Sequence, residues 1–276
     1  MDWKSLISPV SKMTTDEAKK FIEAKSADEY QLLDVRQPKE YEAEHLPGAL
    51  LIPLSELPAR LGELDKEKTV IAYCAVGGRS RAAAQFLSGS AFKEVFNMSG
   101  GIKAWNGLKA TGPEEEGLEI FTGNEEFGDA VSLAYTMEDG LQGFYQTLAL
   151  DASTDELKDL FKKLATFEGK HKSNLADDYR TGNEGGFEED IPLDIPAGIM
   201  EGGGMVFEFL EKVKPYLDSP QNVLQLAMTL ETQAYDLYGR MAQKSTKDST
   251  KALFLKLVDE EKGHLAMLSQ ELDKIL

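Results

Sequence analysis

The chain has 276 residues, 42% of them hydrophobic and 28% charged, and its 48 acidic residues outnumber 30 basic ones for a formal net charge of −18. That length and balance suit roughly two globular domains with cores of their own, and the charge argues against a nucleic-acid backbone or an anionic membrane surface as partner. Cys74 is the one cysteine, which excludes an intrachain disulfide and any Cys-x-x-Cys pair.

The start, MDWKSLISPV, has no basic flank leading into an apolar run, so no secretory signal is read there. No stretch approaches the ~18 apolar residues of a membrane helix, and a cytoplasmic protein is expected. Residues 1–108 then alternate helical and strand-like patterns. TTDEAKKFIEA and SRAAAQFLSG have helical spacing behind a Thr or Ser start. YQLLDV and KTVIAYC are short apolar runs rich in Val, Ile, Leu and Tyr. Such alternation predicts an α/β domain with a mostly parallel sheet.

The segment 109–123, with its glycines, proline and acidic run, reads as a linker. From residue 124 to 276 the pattern changes to long helices, expected at about 125–150, 154–180, 220–244 and 248–275. A Gly- and Pro-rich stretch interrupts them, and a long crossover loop is expected at about 181–219, with MVFEFLEKVKPYL forming a short helix before Pro220. This second part is internally repeated. One constant offset lays Leu133, Ala134, Thr136, Glu138 and Tyr145 on Leu226, Ala227, Thr229, Glu231 and Tyr238, and also Leu160, Phe161, Glu168 and His171 on Leu253, Phe254, Glu261 and His264. Two similar hairpins joined by a crossover make an all-α four-helix bundle.

Two constellations carry chemistry. The first is YCAVGGRSRAAAQFL, where Cys74 stands between a strand and a helix. Gly77 and Gly78 let the backbone curl so that successive N–H groups point inward, with a helix N-terminus behind them. Arg79 adds a full positive charge. Both favour thiolate, the nucleophilic form. The same cradle of Ala75, Val76, Gly77, Gly78, Arg79 and Ser80 suits an anionic substrate.

Residues 1–108 resemble a rhodanese domain through LLDVRQPKEYEAEHLPGALLIP, the loop CAVGGRS and the later NMSGGIKAW. The resemblance implies a sulfurtransferase in which Cys74 takes a sulfane sulfur from thiosulfate, a polysulfide or a persulfide and passes it, as a persulfide, to a thiophilic acceptor. It implies a scaffold role for Asp34, Arg36 and His45. The loop from Cys74 through Arg79 has the length that goes in the family with sulfur substrates. With no second cysteine in the chain, the acceptor thiol has to be external.

The second constellation is Glu-x-x-His, which occurs twice in a chain of only three histidines, as Glu168 with His171 and Glu261 with His264. Residues three apart share a helix face. Glu138 and Glu231 precede these pairs at equal spacing on the other two helices. A Glu from each of two helices plus Glu-x-x-His from each of the others is the ligand set of a carboxylate-bridged dinuclear site. Two iron ions are expected there, and manganese suits the same mixed carboxylate and imidazole donors.

Residues 124–276 resemble the rubrerythrin branch of the ferritin-like superfamily. The resemblance implies that Glu138, Glu168, His171, Glu231, Glu261 and His264 are the metal ligands, and by analogy a homodimer. Two departures matter. A further glutamate of the family's third helix is replaced by Ala234, and no cysteine-paired rubredoxin domain is present, so electrons have to come from a donor protein or from the substrate. The expected function is sulfur transfer coupled to a dinuclear-metal redox centre. The alternative is a di-iron peroxidase or oxidase with an accessory rhodanese domain. A third reading, with structural metal and a docking first domain, predicts neither thiosulfate:cyanide turnover nor peroxide consumption with a reduced donor.

Overall fold

The computed structural model describes residues 10–182 and 206–276. It divides into two compact units, Met1–Glu116 and Gly117–Leu276.

In the first unit β1 (Ser11–Thr14) leads directly into α1 (Thr15–Ala24). Thr14 closes a capping box: Glu17 N donates to its Oγ1 at 3.2 Å and its own N donates to Glu17 Oε2 at 2.8 Å. There follow β2 (Tyr30–Asp34), α2 (Pro38–Ala43), β3 (Leu50–Leu51), β4 (Thr69–Tyr73), α3 (Gly78–Ser88), β5 (Glu94–Ser99) and the single turn α4 (Gly101–Ala104). The five strands form one sheet, parallel throughout, in the order β1-β5-β4-β2-β3. The α/β architecture expected from the alternating pattern is therefore present.

Both faces of this sheet are buried. Along β4, Val70 and Ala72 point into a core shared with Ala83, Ala84 and Leu87 of α3, while Ile71 and Tyr73 point into one shared with Ala18 and Ile22 of α1. The alternation is the period-two consequence of the pleat. It explains why KTVIAYC reads as a continuous apolar run rather than an in-out pattern.

Within the stretch read as a linker, Ala110 bridges His45 through two 2.9 Å backbone hydrogen bonds. Gly112 N donates to Glu42 O at 2.9 Å.

The second unit contains α5 (Phe127–Asp151), α6 (Asp155–Gly182), α7 (Val206–Val213), α8 (Pro220–Lys244) and α9 (Asp248–Asp273). Thr154 starts α6 by accepting from Leu157 N, and Ser219 starts α8 by accepting from Asn222 N with Pro220 in the first turn. α5 packs against α6 and α8 against α9, giving two antiparallel hairpins in a four-helix bundle. Leu141, Phe144, Leu148, Leu157, Phe161, Leu164, Val223, Leu224, Ala227 and Leu268 fill its core, with Phe209, Leu210 and Val213 of α7 laid against it. Of the crossover expected at 181–219, residues 183–205 lie outside the described residues. No helix among the described residues is long and apolar enough to cross a membrane.

Candidate functional sites: a cysteine loop and a carboxylate–histidine cluster

Cys74 follows the last residue of β4, a strand paired on both sides, at the carboxyl edge where parallel sheets present their sites. The loop is held from behind. Ile102 N donates to Cys74 O at 2.9 Å and Lys103 N to Ala75 O at 3.1 Å, so the start of α4 ties down two loop carbonyls. That approach needs Gly101, whose φ is +59°: a Cβ there would lie 2.2 Å from Cys74 O. Gly77, with φ +96°, turns the chain into α3.

With its carbonyls held outward, the loop directs its N–H groups at the sulfur. Gly77 N donates to Cys74 Sγ at 3.1 Å, and Ser80 Oγ lies 3.4 Å from it. Burial pushes the Cys74 thiol up. Hydrogen bonds from the Ser80 hydroxyl and from the Ser80, Val76 and Gly77 amides outweigh that and hold it below its ordinary value. The side chain of Val76, in contrast, is 63% exposed on the outside of the loop.

Arg79 is committed to a partner that sequence reasoning missed. Its Nη1 and Nη2 fork onto both carboxylate oxygens of Glu40 at 2.7 Å each. The pair lowers Glu40 to about 2, and the guanidinium, which also faces Cys74, is raised. Glu40 lies within the quoted QPKEY run, but no local pattern announces a contact across so much chain. Asn97 was missed in the same way. Its Oδ1 is 2.7 Å from Ser80 Oγ, and its only sequence signal was membership of NMSGGIKAW.

Asp34 and Arg36 form a buried pair, with Arg36 Nη2 donating to Asp34 Oδ2 and to Glu44 O at 2.6 Å each. His45 is buried, stacked on Tyr41 at 3.6 Å, with Nδ1 2.8 Å from Tyr41 O. These contacts bind the β2–α2 segment together and include no contact with Cys74.

In the bundle, the six side chains singled out by spacing converge. Glu138 on α5 and Glu168 with His171 on α6 make one cluster, and Glu231 on α8 with Glu261 and His264 on α9 make another. Within each, one ligand atom from every member lies within 4.8 Å of the others. His171 Nδ1 is 3.2 Å from Glu138 and 3.3 Å from Glu168, while His264 Nδ1 is 3.1 Å from Glu261 and 3.4 Å from Glu231. The imidazoles of His171 and His264 stack at 3.9 Å with planes 7° apart, so the two clusters abut.

This donor set fits a pair of cations. Four carboxylates, each no more than 3% exposed, are gathered around two imidazoles. Even with both rings protonated the group is anionic, and buried uncompensated charge is costly. Tyr145 and Tyr238 are fully buried on the same helices, with rings 5.5 Å from Phe144 and 6.1 Å from Phe254. Ala234 is also fully buried.

Comparison with known proteins follows this division. A family model described as rhodanese-like domain matches residues 14–108, and one described as rubrerythrin matches residues 129–272. The "Uncharacterized protein YqhL" of Bacillus subtilis is 46% identical over 77 residues, 28% of this chain and 61% of that protein. The chain thus spans under two thirds of that relative. "Thiosulfate sulfurtransferase GlpE" of Coxiella burnetii is 39% identical over 74 residues, 27% of this chain and 69% of that one. A solved rhodanese-like domain protein from Staphylococcus aureus is 33% identical, covering 35% of this chain and 92% of that one with a TM-score of 0.32.

Proposed function

The chain belongs to the rubrerythrin family and carries a rhodanese-like domain ahead of its bundle, and from that premise we propose that it is a sulfurtransferase joined to a dinuclear metal centre. Cys74 thiolate attacks the outer, sulfane sulfur of a donor such as thiosulfate. A new S–S bond forms to Cys74, the old one breaks, and its electron pair leaves with sulfite. An external thiolate then attacks the outer sulfur of the Cys74 persulfide, carries that sulfur away and releases Cys74 as thiolate. The Gly77 N–H and the Ser80 hydroxyl hold negative charge on the cysteine sulfur at both ends of the cycle. Arg79, oriented by Glu40, supplies the positive edge of the loop.

The observation that carries this reading is the cradle of donors around Cys74 Sγ, which lowers the thiol despite its burial. The test is thiosulfate:cyanide turnover with mass spectrometry of the donor-treated protein. One added sulfur atom on the peptide containing Cys74, absent in Cys74→Ser, is expected. A Cys74→Ser protein with undiminished turnover would refute it.

Glu138, Glu168 and His171 would hold one metal ion, and Glu231, Glu261 and His264 the other. When bound, a pair of iron ions supplies redox chemistry beside a carboxylate cluster that α5, α6, α8 and α9 enclose and shield from bulk water. Sulfur delivered by the first domain is the substrate class proposed for that centre. The completeness of the six-ligand cluster also favours a second reading, a peroxide- or oxygen-reducing bundle to which the rhodanese-like domain is accessory. Peroxide consumption with a reduced donor, measured beside sulfur transfer on one sample, separates the two.

A further inference from the structure

Behind Cys74 lies a short polar chain whose donors and acceptors do not permit a single fixed arrangement. Asn97 on β5 stands opposite Ala72 of β4 in the parallel register, and Ser80 sits in the first turn of α3. All three side chains, Asn97, Ser80 and Cys74, are buried. Ser80 Oγ lies 2.7 Å from Asn97 Oδ1 and 3.4 Å from Cys74 Sγ.

A hydroxyl has one proton to give. At 2.7 Å from a carbonyl oxygen, the Ser80 proton goes to Asn97, and Ser80 then faces Cys74 with lone pairs. That suits a neutral thiol, which donates its own proton: S–H to Oγ, O–H to Oδ1. Thiolate reverses the demand. It accepts, so Ser80 has to turn its proton to sulfur, and its lone pairs would then meet the Asn97 carbonyl oxygen inside the protein. A half-turn of the carboxamide removes the conflict by presenting Nδ2–H to Ser80 Oγ. No hydrogen bond from Nδ2 to a described residue opposes that turn, the side-chain bond of Asn97 being the one at Oδ1. Carboxamide serves both states because it carries an acceptor and a donor of nearly the same shape. A carboxylate would serve only the first.

We propose that Asn97 is a positioning residue whose amide turns with the charge on Cys74, setting Ser80 as acceptor towards the thiol and as donor towards the thiolate. The inference deepens the sulfurtransferase reading, but its test follows the ionisation of the thiol and not turnover, so the two fail separately.

The test uses the full chain labelled with ¹⁵N-asparagine. The Asn97 side-chain NH₂ resonance, identified by its loss in Asn97→Asp, is followed against pH beside the ultraviolet absorbance of the thiolate. The expected result is a shift of the Asn97 signal with the same midpoint as thiolate formation, and loss of that tracking in Ser80→Ala. Asn97→Asp, which can only accept, should trap the Ser80 proton and cut the thiolate fraction at neutral pH by about tenfold or more, the worth of one charge-assisted hydrogen bond. In a Ser80→Ala background the same change should do much less. An Asn97 signal that stays still through the Cys74 titration would overturn the proposal. So would an Asn97→Asp effect of equal size with and without Ser80, which would reduce Asn97→Asp to added charge.

Discussion

Replacing Gly101 by alanine tests the idea that α4 shapes the cysteine loop. The new Cβ would stand 2.2 Å from Cys74 O and 2.7 Å from Ala75 C and O, all backbone atoms. Ordinary contact begins near 3.4 Å, so loop and α4 have to part by about 1 Å. The residue would also sit at φ +59°, where a side chain costs roughly 1–2 kcal/mol. Overpacking adds roughly 1–3 kcal/mol. Together these destabilise the first unit by about 2–5 kcal/mol, which for a domain of roughly a hundred residues lowers its melting temperature by about 10 °C or more. Parting the two also stretches the Ile102 N to Cys74 O bond and turns the amides away from sulfur, and an error of that size costs a positioned reaction about a hundredfold. Calorimetry, thiosulfate:cyanide kcat/KM and the pH dependence of Cys74 alkylation measure the three effects. Gly62→Ala is the control, since nothing lies within 4 Å of its added Cβ. A Gly101→Ala protein that melts and turns over like the parent would show that α4 does not set the loop.

Removing the Ser80 hydroxyl, Ser80→Ala, should move the midpoint of Cys74 alkylation by iodoacetamide to higher pH, because a donor that lowers the thiol is gone; an unmoved midpoint would exclude that role. The Glu40–Arg79 pair predicts a pH-dependent stability. Since Glu40 is lowered to about 2 in the folded chain, its contribution is full above the ordinary carboxylate range near 4.5 and is lost as pH falls towards 2. Denaturant midpoints of the parent and Glu40→Gln should therefore converge only in strong acid. In the bundle, Glu168→Gln should cut metal content per chain by about half, read by elemental analysis. It should also make the chelated protein more stable rather than less, because one of four clustered buried carboxylates is neutralised. A chelated variant that melts below the chelated parent would contradict the account of the cluster.

The bundle was the more legible half because its signals are local. Glu168 with His171 and Glu261 with His264 report a shared face within one turn, and the helix expected at about 125–150 from its pattern lies at Phe127–Asp151. Pro220 likewise marked the start of α8 where the structure has it. In the first domain, β4 and α3 were readable from composition, and Cys74 from its place between them. The strand order β1-β5-β4-β2-β3 was not, since pairing of distant strands leaves no periodic trace. α4 is a single turn, too short for a helical pattern. The pairing of Arg79 with Glu40 and of Ser80 with Asn97 depends on where the sheet brings three separate segments together, α2, α3 and β5, which spacing along the chain does not encode.

Each three-ligand cluster in the bundle is drawn from one hairpin, the first from α5 and α6 and the second from α8 and α9. A cation gathered by either cluster would therefore cross-link helices that are already chain neighbours, closing a short loop at small entropic cost. Each ion would thus tie together the two helices of one hairpin, and the stacked rings of His171 and His264 are where the two hairpins meet.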